Sequence, residues 1–214
     1  MARAIAGRRS LRYRAAMRIF YTPTSPFVRK VLVAAHELGV PLETELLRPS
    51  PLAPDATLSR SNPLSKIPAL VLDDGTTLYD SPVICEYLDV THGPRLIPTA
   101  GPDRWRVLRC QALCDGILDA AILIFYERAN RPPELHWEPW ISGQTGKVEQ
   151  GLDALEQEVA RFGTVDLAQI CAAVALGWLE FRRPIGDIRP GRSRLFAWYD
   201  EFLTRPSMQA TMPY

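Results

Sequence analysis

The stretch TPTSPFVRKVLVAAHELG, residues 22–39, decides how the first third of the chain folds. Just before it, RIFYT (residues 18–22) is a short β-rich run. Behind Ser25-Pro26, the apolar residues Val28, Val31, Leu32, Ala35 and Leu38 recur at helical spacing. Serine is a favoured N-cap, and proline suits the first helical position because its missing N–H would be unpaired there anyway. Gly39 suits the residue just past the helix, and Pro41 prevents continuation. The spacing thus predicts strand, turn, helix. It also places Thr24 and Ser25 where free backbone N–H groups and the positive end of the helix dipole favour negative charge. Ser25 is a helix cap on any reading. A role in chemistry is compatible with that.

Outward from this point the chain alternates and then changes character. LETELL (residues 42–47) reads as a second strand. Residues 48–63 are rich in proline and serine and read as loop, with a short helix around residues 55–60. ALVLDDGTTLYD (residues 69–80) is a hairpin folded about Asp74-Gly75. Ser81-Pro82 then opens a helix to about Thr91. The order is β-α-β-(α)-β-β-α, followed by a turn-rich linker over residues 92–102. Beyond the linker the pattern is helical: a long helix at 103–129, a proline- and tryptophan-containing break at 131–140, and an amphipathic helix at 143–161. A nearly all-apolar buried helix at 166–181 follows, and a last helix at 192–204 ends at Pro206. Asp166 and Gln169 have capping-box spacing, so Gln169 is expected to reach back to the cap N–H.

Bulk properties exclude several classes of function. The 25 basic and 24 acidic residues leave a net charge of +1, with no global field to attract nucleic acid. No apolar run has the ~18 residues a membrane span needs. The four cysteines include no C-x-x-C pair, which disfavours thiol-disulfide chemistry. Cys110 and Cys114 share a helical face, but no histidine or third cysteine is near enough to complete a metal site. All four are expected to be ordinary reduced thiols. No secretory hydrophobic segment is present. The first sixteen residues hold five arginines and no acid. A transit peptide and an upstream start codon both suit them, Met17 opens what reads as a natural chain start, and the segment is expected to be disordered.

Four stretches carry a resemblance: TSPFVRK at residues 24–30, NPLSKIPAL at 62–70, YDSPVICEYL at 79–88 and DLAQICAAVALGWLEFR at 166–182. In this order they resemble the cytosolic glutathione transferases, and most closely bacterial members with serine where omega- and beta-type enzymes carry cysteine. The resemblance covers nearly everything after Met17. It implies a thioredoxin-like glutathione-binding domain at residues 17–93 and an all-helical domain at 101–214, α/β followed by all-α. Residues 1–16 form a basic extension outside both.

The resemblance also implies roles. Ser25 would activate the glutathione thiol, its hydroxyl donating to sulfur, with Thr24 as the neighbouring alternative. A free thiol has a pKa of ~8.5, and each unit of depression requires roughly 1.4 kcal/mol of preferential thiolate stabilisation. Ile67-Pro68 matches the family's cis-proline, where the backbone of Ile67 would pair with the cysteinyl part of glutathione as an added strand. Lys66 would meet the glycyl carboxylate, although a lone lysine is more often solvated surface. Ser65 stands where the family often has glycine. Ser81 would hold the γ-glutamyl carboxylate and Asp80 its ammonium. The bland alternative makes Ser81 an N-cap and Asp80 a complement to the helix dipole.

Weaker candidates are Arg29, for an anion near Ser25 or simply as a surface arginine, and Tyr21, which sits as a strand residue. Asp115, Tyr126 and Trp137 fall where the helical domain would wall an acceptor pocket. The implied activity is a detoxifying glutathione S-transferase acting on small apolar electrophiles or peroxides, with glutathione as co-substrate and no metal. A cytoplasmic homodimer, without nucleic-acid or membrane partners, goes with it. A non-catalytic glutathione-binding or protein-interaction module on the same fold is the alternative.

Overall fold

The computed structural model describes residues 17–213. The expectation of a disordered extension at 1–16 falls outside them. The first part is β1 (Arg18–Tyr21), α1 (Pro26–Leu38), β2 (Glu43–Leu46), α2 (Ala56–Ser61), β3 (Ala69–Val71), β4 (Thr77–Leu78) and α3 (Ser81–His92). The strands form a mixed sheet in the order β2-β1-β3-β4, with β1 parallel to β2 and antiparallel to β3. Helices follow: α4 (Gly101–Asn130), α5 (Glu138–Glu158), α6 (Leu167–Arg182), α7 (Ser193–Phe202) and α8 (Pro206–Gln209). This is a thioredoxin-like domain with a small mixed sheet, then an all-helical domain. No helix of the described residues is long and apolar enough to cross a membrane.

Each helix border has a local cause. α1 ends at Gly39 in the left-handed region (φ 70), its N–H returning to the carbonyls of Ala35 and His36. α5 begins five residues earlier than expected. Pro139 lies in its first turn, where a missing N–H costs nothing, so a residue read as a breaker is a helix starter. Pro206 likewise opens α8 and does more than end α7. At α6, Asp166 caps the N–H of Gln169 at 3.1 Å. Gln169 does not reach back to the cap; its amide NH2 donates to the carbonyls of Gly163 and Thr164, and Arg106 takes the other Asp166 oxygen at 2.5 Å.

One hydrophobic core runs through both domains, from Ile19, Val31 and Leu70 through Ile84 to α4 and the fully buried centre of α6. α1 is the shared element. It packs on α3 within its own domain and on α6 and α8 of the other. Its burial is wider than the apolar periodicity indicates, because Arg29 and Lys30 are themselves only 5% and 2% exposed.

Candidate functional site

The sheet register gathers three loops at one edge. Phe20 pairs with Ala69, so the end of β1 lies beside Pro68, and Leu70 pairs with Leu78, two residues before Asp80. The β1–α1 turn, the approach to β3 and the start of α3 therefore share this end of the sheet.

Ser25 closes the first loop, its N–H donating to the Thr22 carbonyl at 3.2 Å. It is extended (φ −81, ψ 121), and its Oγ accepts the Val28 N–H at 3.3 Å. A hydroxyl has one proton to give and two lone pairs. Capping uses a lone pair, so the Ser25 proton is left for a ligand. No acidic side chain stands in the first turn of α1 to cancel the positive helix end.

In the second loop the Ile67-Pro68 bond is cis, as expected from the motif. Pro68 is buried, Ile67 half-buried and Lys66 exposed. Buried Asn62 holds the loop, its amide donating to the Lys66 carbonyl at 2.8 Å while its oxygen accepts the Leu64 N–H. Ser65 sits at φ 51, a left-handed conformation that favours glycine. That is the physical reason for the glycine the family often carries there. Here the Ser65 hydroxyl accepts the Asp55 N–H at 2.8 Å.

The third loop corrects one expectation. The N-cap of α3 is Asp80, and Ser81 is already the first helical residue. The Asp80 side chain makes no capping hydrogen bond and is exposed, while Ser81 is 2% exposed. The peptide bond before Asp80 is cis. A free carboxylate thus projects beside the open N–H groups of a helix start, an arrangement suited to a zwitterion.

Helices α4 and α6 form the facing wall. The Trp178 indole N–H donates to the Thr24 carbonyl at 3.2 Å, tying α6 to the Ser25 turn. Lys30 Nζ meets both oxygens of Asp115 at 2.7 and 2.9 Å, tying α1 to α4. Burial lifts the Asp115 carboxyl above its ordinary range, against the pull of Lys30. Further along α4, Tyr126 and Trp137 line a cavity of about 630 Å³ with Leu52, Leu123 and Trp140. Asp115, in contrast, serves the domain junction. Arg29 is not a surface residue: it is buried. It crosses α6 beside Gly177, where a Cβ would lie 2.7 Å from its guanidinium, and donates to the Met208 carbonyl at 3.2 Å.

Sequence reasoning missed Lys30, Trp178 and the cavity's Leu52 and Trp140. For Lys30 a signal existed: two adjacent cations within the apolar first ten residues of α1 need partners. The four cysteines are all buried and free, and burial pushes the Cys85 thiol up to about 12. No group of side chains suited to a metal occurs among the described residues.

These features define a glutathione transferase fold, and comparison with known proteins agrees. The chain matches the family models for the glutathione S-transferase N-terminal domain over residues 24–91 and C-terminal domain over residues 138–201. It belongs to the glutathione S-transferase family. It is 34% identical over 202 residues to the uncharacterized GST-like protein YibF of Escherichia coli K12, covering 92% of this chain and 98% of that protein. A glutathione transferase family member from Pseudomonas fluorescens Pf-5, crystallised with bound glutathione, superposes with a TM-score of 0.88 at 48% identity, over 93% of this chain and all (100%) of that one. A structure of a family member from the same organism with bound S-(propanoic acid)-glutathione gives a TM-score of 0.84 at 46% identity, again over 93% of this chain and 100% of that one.

Proposed function

We propose that the protein is a glutathione S-transferase that binds reduced glutathione at the three loops, favours its thiolate, and directs it at a small electrophile. The observation that carries this reading is Ser25. It caps α1 with a lone pair, keeps its hydroxyl proton, and stands at the unopposed positive end of the helix. A thiolate beside it accepts that proton as a charge-assisted hydrogen bond and gains from the helix end. Glutathione in similar chains supports the ligand, and the bound thioether in the Pseudomonas structure supports conjugation.

In this reading Asp80 takes the γ-glutamyl ammonium, and Ser81 with the α3 N–H groups takes its carboxylate. The backbone of Ile67, ahead of cis-Pro68, pairs with the cysteinyl unit, and Lys66 meets the glycyl carboxylate. The thiol proton leaves to solvent, sulfur bonds to the electrophilic carbon, and the leaving group departs with its electron pair. With a peroxide, the same sulfur attacks one oxygen, the O–O bond breaks and the other oxygen leaves as alcohol or water after taking a proton; a second glutathione thiol then displaces water from the resulting sulfenic acid to give the disulfide. Catalysis is thiolate stabilisation plus proximity. Val83 and Val90, exposed two turns apart on α3, offer apolar surface for a second copy, consistent with a cytoplasmic homodimer.

A pH titration of the ultraviolet absorbance of the bound thiolate tests the reading. A pKa clearly below that of free glutathione is expected. Bound glutathione with an unshifted thiol supports the non-catalytic module instead.

A further inference from the structure

We propose that Arg182 is an anion anchor at the acceptor end of the cleft, so that the preferred electrophile carries a carboxylate or comparable oxyanion away from its reacting carbon. This rests on the conjugation reading above. Arg182 is the last residue of α6, one turn beyond Trp178, whose indole is bonded to the carbonyl next to Ser25. Its guanidinium is stacked on two rings, with Cζ 4.9 Å from the centroid of Phe125 and 4.7 Å from that of Phe181. The Phe125 ring stands edge-on to Trp178 at 6.1 Å and touches Tyr126 at 5.8 Å, and Tyr126 lines the cavity. The same ring thus links the charge, the residue anchoring the Ser25 turn, and the cavity.

What sets Arg182 apart is the state of its donors. Arg189 is taken up by Glu180 and Asp200, and Arg192 by Glu149 and Asp153, while Arg183, which also has no side-chain partner among the described residues, is exposed to solvent. Arg182 makes no hydrogen bond or ion pair among the described residues, and its Nε is buried without a partner. Stacking occupies the faces of a guanidinium and leaves its edges for hydrogen bonds; with Nε buried, the two terminal NH2 groups of half-buried Arg182 are the edge that a carboxylate would meet, in a fixed plane that matches it. A cation at a helix C-terminus is also favoured by the dipole, a bland role that accounts for its charge. That role asks for neither two-ring clamping nor an unmet buried donor. The carboxylate takes no part in bond making. Sulfur adds to the reactive carbon and the leaving group departs with its electron pair, while the guanidinium holds the far end of the molecule.

The test is calorimetric titration of the full chain with glutathione, S-benzylglutathione and S-(4-carboxybenzyl)glutathione. Wild type is expected to prefer the carboxylated thioether over the neutral one. Arg182→Met, which keeps the stem and packing volume, should cut that preference about tenfold, the size of one charge-assisted hydrogen bond. Arg182→Lys should restore part of it, and glutathione affinity should stay the same in all three proteins. An equal preference in wild type and both variants, with glutathione still bound, overturns the anchor and leaves the transferase reading intact. Failure of wild type to bind glutathione at all overturns that reading, and the anchor with it.

Discussion

Replacing Ser25 separates capping from chemistry. The cap bond is long, with Oγ 3.3 Å from the Val28 nitrogen, so Ser25→Ala should lose stability at the low end for a cap, about 0.5–1 kcal/mol. The hydroxyl's bond to a thiolate is charge-assisted and is worth about 1.5–3 kcal/mol. At 1.36 kcal/mol per unit, its loss should raise the bound thiol's pKa by about one to two units. Below the wild-type pKa, the thiolate fraction and the conjugation rate should fall about ten- to a hundredfold. Glutathione affinity should hardly move, because the γ-glutamyl and glycyl contacts are untouched. Ser25→Gly sharpens the comparison, since glycine is a tolerable N-cap but has no hydroxyl. The glycine variant should be nearly as stable as wild type yet as slow as the alanine variant. The assays are thiolate absorbance against pH, conjugation of a broad electrophile, and chemical denaturation. Near-wild-type conjugation by both variants would refute the reasoning and leave Ser25 as a cap alone.

Asp80→Ala and Ser81→Ala should each weaken glutathione binding, measured by calorimetry, with little change in the bound thiol's pKa; unchanged affinities would remove that loop from the site. Lys30→Met should cost about 3 kcal/mol by leaving Asp115 as a buried unpaired charge, and adding Asp115→Leu should recover most of it. Equal losses in urea denaturation for the single and double variants would contradict this. Glu37 is held below the usual carboxylate range, first by its bond from Arg205, with Ser207 adding a second donor. Its stabilisation is therefore full above the unfolded-state pKa and is lost as pH falls through the lower folded one. Melting temperatures of wild type and Glu37→Gln should differ at neutral pH and converge in acid.

The fold was legible because its signals are local. Ser25-Pro26 and Gly39 bracket α1, Asp74-Gly75 marks the hairpin, and the apolar run after Asp166 can only be a buried helix. The three loops at the sheet end were legible as motifs, and the cis bond at Pro68 and the helix start at Asp80–Ser81 agree with them. Long-range partnership was not legible. That Arg29 belongs to Met208, Lys30 to Asp115 and Trp178 to Thr24 is set by how α1 and the turn before it lie against α8, α4 and α6, which no periodicity within one helix encodes. The proline errors at 139 and 206 have one cause: proline breaks a helix interior but is at home in a first turn.

The wiring of α1 bears on when the molecule can finish folding during synthesis. Arg29 lies in the first helix, yet its guanidinium is met by the carbonyl of Met208 and by Thr211 and Met212. Glu37, on the same helix, waits for Arg205 and Ser207. A helix made early is therefore finished by residues 179 to 183 positions further along the chain. The α1 face stays open until residues 205–212 have emerged, so the sheet-bearing domain is translated before them but does not reach its final packing before them.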